Sequence, residues 1–274
     1  LDLIFVYVPA ADDGAPVGGR EYFTRLAQTM LTTLQAPTRE GRVYTIDTRL
    51  RPSGNKGPLV SSLEAFSRYH AESSQLWERQ ALIKARAIAG DPTLMAEVDA
   101  IVERFVYARP LRNDEIAEIH RLRMRMEREL AGDERKEFNI KTGRGGLVDI
   151  EFLTQMLQLK HGTDVPAVRR RATRHALAAL AAAGLVAPGD AAALEESYAF
   201  LRMLTHRLRI ERDQPVEALE RGGEHLPALA RRLGYEGASD LIARRLLDDY
   251  ARHRERVRAL YTRWFGEVRD TTRD

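Results

Sequence analysis

The chain has 274 residues, 44% of them hydrophobic and 30% charged, with a formal net charge of +3. This suits one large or two ordinary soluble domains with a real core. No apolar stretch approaches the roughly 20 residues that a membrane-spanning helix needs, no basic-then-apolar leader opens the chain, and zero cysteines exclude disulfides and thiolate metal sites. Five of the 43 basic residues are lysine, so 38 are arginine. Acids are scattered almost as densely, so the overall charge gives no argument for nucleic acid. The expectation is a cytoplasmic protein with neither membrane nor nucleic-acid partners.

Residues 1–8 (LDLIFVYV) read as a buried strand interrupted by Asp2. Opening on a strand, the chain is expected to be a piece of a longer protein. Residues 9–18, rich in Pro, Gly and Asp, read as a loop. Over 20–35 a helical period puts Phe23, Leu26, Ala27, Met30, Leu31 and Leu34 on one face, and Pro37 ends it. Residues 42–50 read as a second core strand, with Asp47 on the face shared by Val43, Thr45 and Arg49. Leu59 and Val60 lead into a short helix capped by Ser61 or Ser62, and 74–88 reads as helical. From about residue 93 strand signals vanish. Helices are predicted over 93–107, 112–131, 148–161, 167–184, 189–212 and 238–265, joined by short connections as in an antiparallel bundle, with 267–274 as a frayed tail.

Four segments carry candidate chemistry. A buried carboxylate costs on the order of several kcal/mol unless a positive group meets it. Asp2 and Asp47, on successive core strands, therefore suggest either a shared divalent metal or separate arginine partners. Behind Asp47 comes Arg49-Leu50-Arg51-Pro52-Ser53-Gly54-Asn55-Lys56-Gly57, a cationic turn whose glycines permit close approach of a ligand and whose guanidinium forks match phosphate oxygens. Lys84, beside apolar neighbours and two residues before Arg86, either reaches a phosphate or faces solvent. The loop Gly143-Arg144-Gly145-Gly146 precedes a helix N-terminus and can form an anion nest; Asp149 and Glu151 there are either site residues or ordinary first-turn charges. The seven histidines are scattered, with no pair at metal-ligand spacing.

Taken together, Leu1-Asp2-Leu3-Ile4-Phe5, Tyr44 through Gly54, Trp77-Glu78 with Lys84-Ala85-Arg86, and Gly145-Gly146-Leu147-Val148-Asp149-Ile150-Glu151-Phe152 resemble the glutamine synthetase adenylyltransferase/adenylyl-removing family. The resemblance runs in order through about residue 160. It implies an α+β protein: a polymerase-β-type nucleotidyltransferase domain over 1–105, incomplete at its N-terminus, then an all-α helical bundle over 106–266 like that of the PII-uridylyltransferases. It implies one catalytic half of an enzyme that moves AMP from ATP to a tyrosine of glutamine synthetase, or removes it by phosphorolysis, under the control of PII protein and glutamine. Arg51-Pro52-Ser53-Gly54 and Val148-Asp149-Ile150-Glu151-Phe152 look more like the adenylylating half. Carried over by motif, Asp2 and Asp47 would hold Mg²⁺ or Mn²⁺, with a further acid expected before Leu1. Asp2, Asp47 and Arg49 would be catalytic. Arg51, Ser53, Gly54, Lys56, Lys84, Arg86, Gly145, Gly146, Asp149 and Glu151 would bind nucleotide or phosphate. Three other readings compete: a nucleotidyltransferase acting on nucleic acid, which the interspersed acids argue against; a non-catalytic module docking glutamine synthetase or PII; and a helical scaffold in which Asp2 and Asp47 are only ion-paired.

Overall fold

In the computed structural model, which describes residues 1–9, 19–41, 44–130, 132, 137–212, 218–220, 222 and 224–270, the chain forms two units, Leu1–Ala108 and Arg109–Asp274. In the first unit, β1 (Phe5–Tyr7) pairs in parallel with β2 (Val60–Ser62), Phe5 opposite Val60. Upstream of β1, the Leu3 N–H donates to the Asp47 carbonyl (2.8 Å) and the Asp47 N–H to the Leu1 carbonyl (2.7 Å). Asp2 and Asp47 are thereby lateral partners in a parallel bridge. The strand predicted over 42–50 reduces to this bridge, because the chain is already turning at Thr48, whose carbonyl accepts from the Arg51 N–H (3.3 Å); residues 42 and 43 lie outside the described residues. β2 is too short and polar to signal itself. Ser62 ends it and caps α2 (Leu63–Glu72), its hydroxyl accepting from the Ala65 N–H at 3.2 Å.

Helix α1 (Arg20–Gln35) follows the predicted span. Its Phe23 ring stacks on Tyr7 at 4.7 Å and Ala27 is buried. Leu26 and Met30, expected on the core face, are 45% and 40% exposed, since a sheet of two short strands offers only a narrow surface. The helix predicted over 74–88 stops early. α3 (Leu76–Ala81) tightens into a 3-10 turn at Leu82–Lys84, and Ala85 is extended. α4 (Pro92–Val106) starts where Asp91 accepts from the Thr93 and Leu94 N–H groups, with Pro92 in the first turn. The predicted loop at 10–18 lies outside the described residues.

His70, on α2, is 3% exposed, and neither ring nitrogen has a hydrogen-bond partner. It packs against Phe66 and Phe105, and burial pulls its pKa down from 6.5 to about 4. The folded pKa lies below the unfolded one, so the unfolded chain binds the proton first. The stability of the neutral form is complete above pH 6.5 and is lost as pH falls towards 4. Replacing His70 by Leu is expected to remove on the order of 2–3 kcal/mol of the stability difference between pH 7 and pH 4.5. Urea denaturation of both proteins at the two pH values checks this.

The second unit is built around α6 (Leu147–His161), which contacts α5 (Asn113–Leu130), α7 (Thr173–Ala182), α8 (Pro188–Arg212) and α10 (Ser239–Asp270). Eleven of its residues are buried, from Leu147 to Leu159, so it has no solvent face of ordinary width. Its polar side chains must then find partners inside: Gln158 donates to the carbonyls of Val168 (2.7 Å) and Arg170 (2.8 Å). α7 begins at Thr173 rather than 167 because Pro166–Val168 forms a separate 3-10 turn. Three elements escape the sequence pattern: β3 (Glu137–Asn139), its antiparallel partner β4 (Ala218–Glu220), and α9 (Leu226–Arg232). Elements of three to seven residues carry too little periodicity to be seen. α10 continues to Asp270, into the predicted tail; residues 271–274 and the predicted connection at Gly223 lie outside the described residues. Among the described residues no helix is long and apolar enough to cross a membrane.

Candidate active site

Residues paired laterally in a sheet project to the same face, so the bridge places Asp2 and Asp47 side by side on one surface of the first unit. Neither is a buried core acid as expected: Asp2 is exposed, and the Asp47 side chain is 29% exposed. Asp47 is held by Arg49. Its Oδ1 accepts from the Arg49 main-chain N–H (2.8 Å), and its two oxygens meet Nε and Nη2 at 2.5–3.0 Å. These bonds hold the Asp47 carboxyl below the usual carboxylate range. The Arg49 side chain is 72% exposed, so water screens this ion pair and keeps it weak. Asp2 makes no ion pair among the described residues.

The turn that follows differs from the expectation at Arg51. Its guanidinium points inward: Nη1 donates to the Thr48 carbonyl (2.7 Å) and hydroxyl (2.9 Å), and Nε to the Gly57 carbonyl (3.4 Å). Arg51 thus staples the turn instead of presenting a fork. Ser53 and Gly54 both have left-handed backbones, with φ of 61° and 56°. A Cβ on Gly57 would lie 2.1 Å from the Pro52 carbonyl oxygen, so only glycine fits there. Ser53 and Lys56 are exposed on this frame. From below, the Tyr69 hydroxyl donates to Glu78 (2.9 and 3.2 Å), and the Ser53 main chain reaches the same phenol; burial pushes the phenol pKa up. Glu78 is buried and also accepts from the Gln75 N–H (2.8 Å). Sequence reasoning missed this supporting role of Tyr69 and Glu78, although Glu78 stands at the third position of its helix, where such caps form. Lys84 and Arg86 are exposed in the segment after α3.

The glycine loop of the second unit is not the open anion nest expected. The Gly145 N–H donates to Asp149 Oδ2 at 2.8 Å, so the chain's own carboxylate fills it. A Cβ on Gly145 would lie 2.1 Å from the Arg254 carbonyl oxygen, and one on Gly146 would lie 2.6 Å from that of Ile140. These glycines let backbones approach. Asp149 is fully buried: Oδ1 lies 2.5 Å from Arg123 Nε, and Oδ2 lies 3.3 Å from Arg258 Nη1. Arg258 Nη1 also meets Glu127 at 2.9 Å. The 2.5 Å approach is ionic contact rather than an aligned hydrogen bond, since neither atom has a partner of proper geometry. Glu151 is half-buried and accepts from the Tyr198 hydroxyl at 3.2 Å. Asp149 and Glu151 thus pair with protein groups inside the bundle. Arg123 and Arg258 were missed, because nothing in the sequence ties these positions on α5 and α10 to Asp149.

Among the described residues no three or more His, Asp or Glu side chains gather as a ready-made metal cage. Two carboxylates do fit the lighter requirement of Mg²⁺, which binds through one or two carboxylates with waters and substrate phosphates completing the octahedron. Asp2 and Asp47 meet that requirement by donor type and by adjacency.

The class emerges from the comparison of each unit with known families. The model described as glutamate-ammonia ligase adenylyltransferase matches residues 1–101, and that described as GlnD PII-uridylyltransferase matches residues 116–265; both name nucleotidyltransferases. Among curated relatives, the bifunctional glutamine synthetase adenylyltransferase/adenylyl-removing enzyme of Streptomyces avermitilis is 37% identical over 267 residues, covering 97% of this chain and 26% of that protein. Those of Chromobacterium violaceum and Aromatoleum aromaticum are 38% and 35% identical, over 86% and 97% of this chain. The chain spans about a quarter of the length of these relatives. It belongs to the family of glutamine synthetase adenylyltransferase/adenylyl-removing enzymes.

Proposed function

We propose that the chain is one catalytic half of such an enzyme, with the first unit a polymerase-β-type nucleotidyltransferase domain that transfers AMP from ATP to a tyrosine of glutamine synthetase in the cytoplasm. The observation that carries this reading is the lateral pairing of Asp2 with Asp47 on one exposed face, beside a rigid cationic turn. Asp2 and Asp47 would hold Mg²⁺ or Mn²⁺, which supplies charge neutralisation at the phosphates and a lowered pKa for the attacking hydroxyl. Arg49 would exchange its exposed bond to Asp47 for oxygens of the nucleotide. Lys56 adds a second exposed cation, and the Ser53–Gly57 backbone, fixed by Arg51 and Tyr69, orients both. In the transfer, the tyrosine oxygen bonds to the α-phosphorus, its proton is lost, and the bond to pyrophosphate breaks. Phosphate attacking the tyrosyl-AMP bond would run the removal, releasing ADP. The Val148-Asp149-Ile150-Glu151-Phe152 sequence favours the transferring half. PII protein and glutamine are the effectors this reading assigns to the whole protein.

The test uses the intact protein, labelled ATP and purified glutamine synthetase. Asp47→Asn is expected to lower AMP transfer by at least about 100-fold, the scale of losing one preorganised electrostatic contact to the transition state. Near-normal transfer by a folded variant rejects the reading.

A further inference from the structure

The second unit carries a groove that the reaction above does not use. Its volume is about 890 Å³, within the range of small-molecule sites. One wall is a single face of α10 with Arg254, Arg258 and Arg263; the opposite wall carries Arg144 from the glycine loop, and Glu255 is the one acid lining it. Four guanidinium groups line it; Arg258 already meets Glu127 and Asp149, and Arg263 meets Asp190, so Arg144 is the cation that gives the groove its appetite for an anion.

The cations are held in place before any ligand arrives. Arg254 Nε donates to the Arg144 carbonyl at 2.7 Å, while its guanidinium lies over the Phe138 ring at 5.2 Å. Arg258 is anchored through Glu127 and the buried Asp149, and Arg263 through Asp190. The Gly145 backbone, pressed against Arg254, fixes the loop that carries Arg144. Arg144 itself is exposed and makes no ion pair among the described residues. A surface arginine on a rigid loop, opposite a helix face of fixed arginines, lacks only its counter-charge.

We infer that this groove binds a multiply charged phospho-anion, with Arg144 as its principal ligand and Arg254 and Arg258 as the preset back wall. Planar forks pair two by two with phosphate oxygens, and fixed forks lose little entropy on doing so. The α10 residues that line the groove run from Ala251 to Arg263. Every residue lining the groove belongs to the second unit.

The test is titration calorimetry on the full chain in EDTA, with pyrophosphate and ATP in separate runs at low and at raised salt. Saturable pyrophosphate binding is expected, at least tenfold weaker in Arg144→Glu and in Thr262→Glu on the opposite wall, unchanged in Arg68→Ala, an exposed cation of the first unit, and weakened by salt. Unliganded melting temperatures of the two groove variants should match the parent; Arg144→Gln replaces any variant that does not. ATP binding more tightly than pyrophosphate identifies a nucleotide as the natural ligand; equal affinities identify an inorganic phospho-anion. The inference is overturned if pyrophosphate does not bind, if it binds equally to Arg144→Glu, or if only Arg68→Ala weakens it.

Discussion

Asp149→Ala is expected to destabilise the protein by about 3–5 kcal/mol, the penalty for breaking a buried ion pair by removing one partner. Asp149 stands on the mostly buried helix α6, and Arg123, fully buried on α5, faces it at 2.5 Å. The substitution strands the Arg123 charge, with the Gly143 carbonyl (3.0 Å) and Glu127 (3.4 Å) as its remaining neighbours. It also unties Arg258 of α10 and frees the Gly145 N–H, so three segments lose one common anchor. The double variant Asp149→Leu with Arg123→Met should recover most of the loss, because well-packed apolar groups replace a buried pair at little cost or with a gain. Urea denaturation of the parent, the single variant and the double variant measures this. A single variant within about 1 kcal/mol of the parent contradicts a buried pair at this position.

Gly145→Ala is expected to cost about 2–5 kcal/mol, from a left-handed backbone penalty of about 1–2 and overpacking of about 1–3. Gly145 has φ of +71°, and the new Cβ would meet the carbonyl oxygen of Arg254 at 2.1 Å and its carbonyl carbon at 2.8 Å. Both atoms belong to the backbone of a long helix, which cannot step aside as a side-chain tip can. Gly184 is the matched control: its φ is +70°, and nothing lies within 4 Å of its would-be Cβ. Gly184→Ala should therefore cost only about 1–2 kcal/mol, the backbone penalty alone. Thermal melts of the two variants separate contact from conformation. Equal losses contradict the packing role assigned to this loop.

The long helices were legible in the sequence because a 3.6-residue period sustained over four or more turns leaves little choice. α1, α4, α5, α6 and α8 fall within a residue or two of their predicted limits. β2, β3, β4 and α9 were not legible, being held by neighbours rather than by their own pattern. In the candidate site, the alignment of Asp2 with Asp47 and the glycine-dependent turn could be read from the chain. The orientation of Arg51 could not, since an inward staple and an outward fork have the same sequence. Asp149 shows the same limit: its position after a glycine loop suggested ligand binding, whereas its meaning depends on Arg123, 26 positions earlier on another helix.

The account rests on two acids from neighbouring segments sharing one cation next to a nucleotide. Electron paramagnetic resonance of Mn²⁺ titrated into the intact protein with a non-hydrolysable ATP analogue tests that most directly. The account predicts a nucleotide-dependent bound signal that is lost in Asp2→Asn and in Asp47→Asn but kept in Asp149→Asn. An unchanged signal in the first two variants would contradict it.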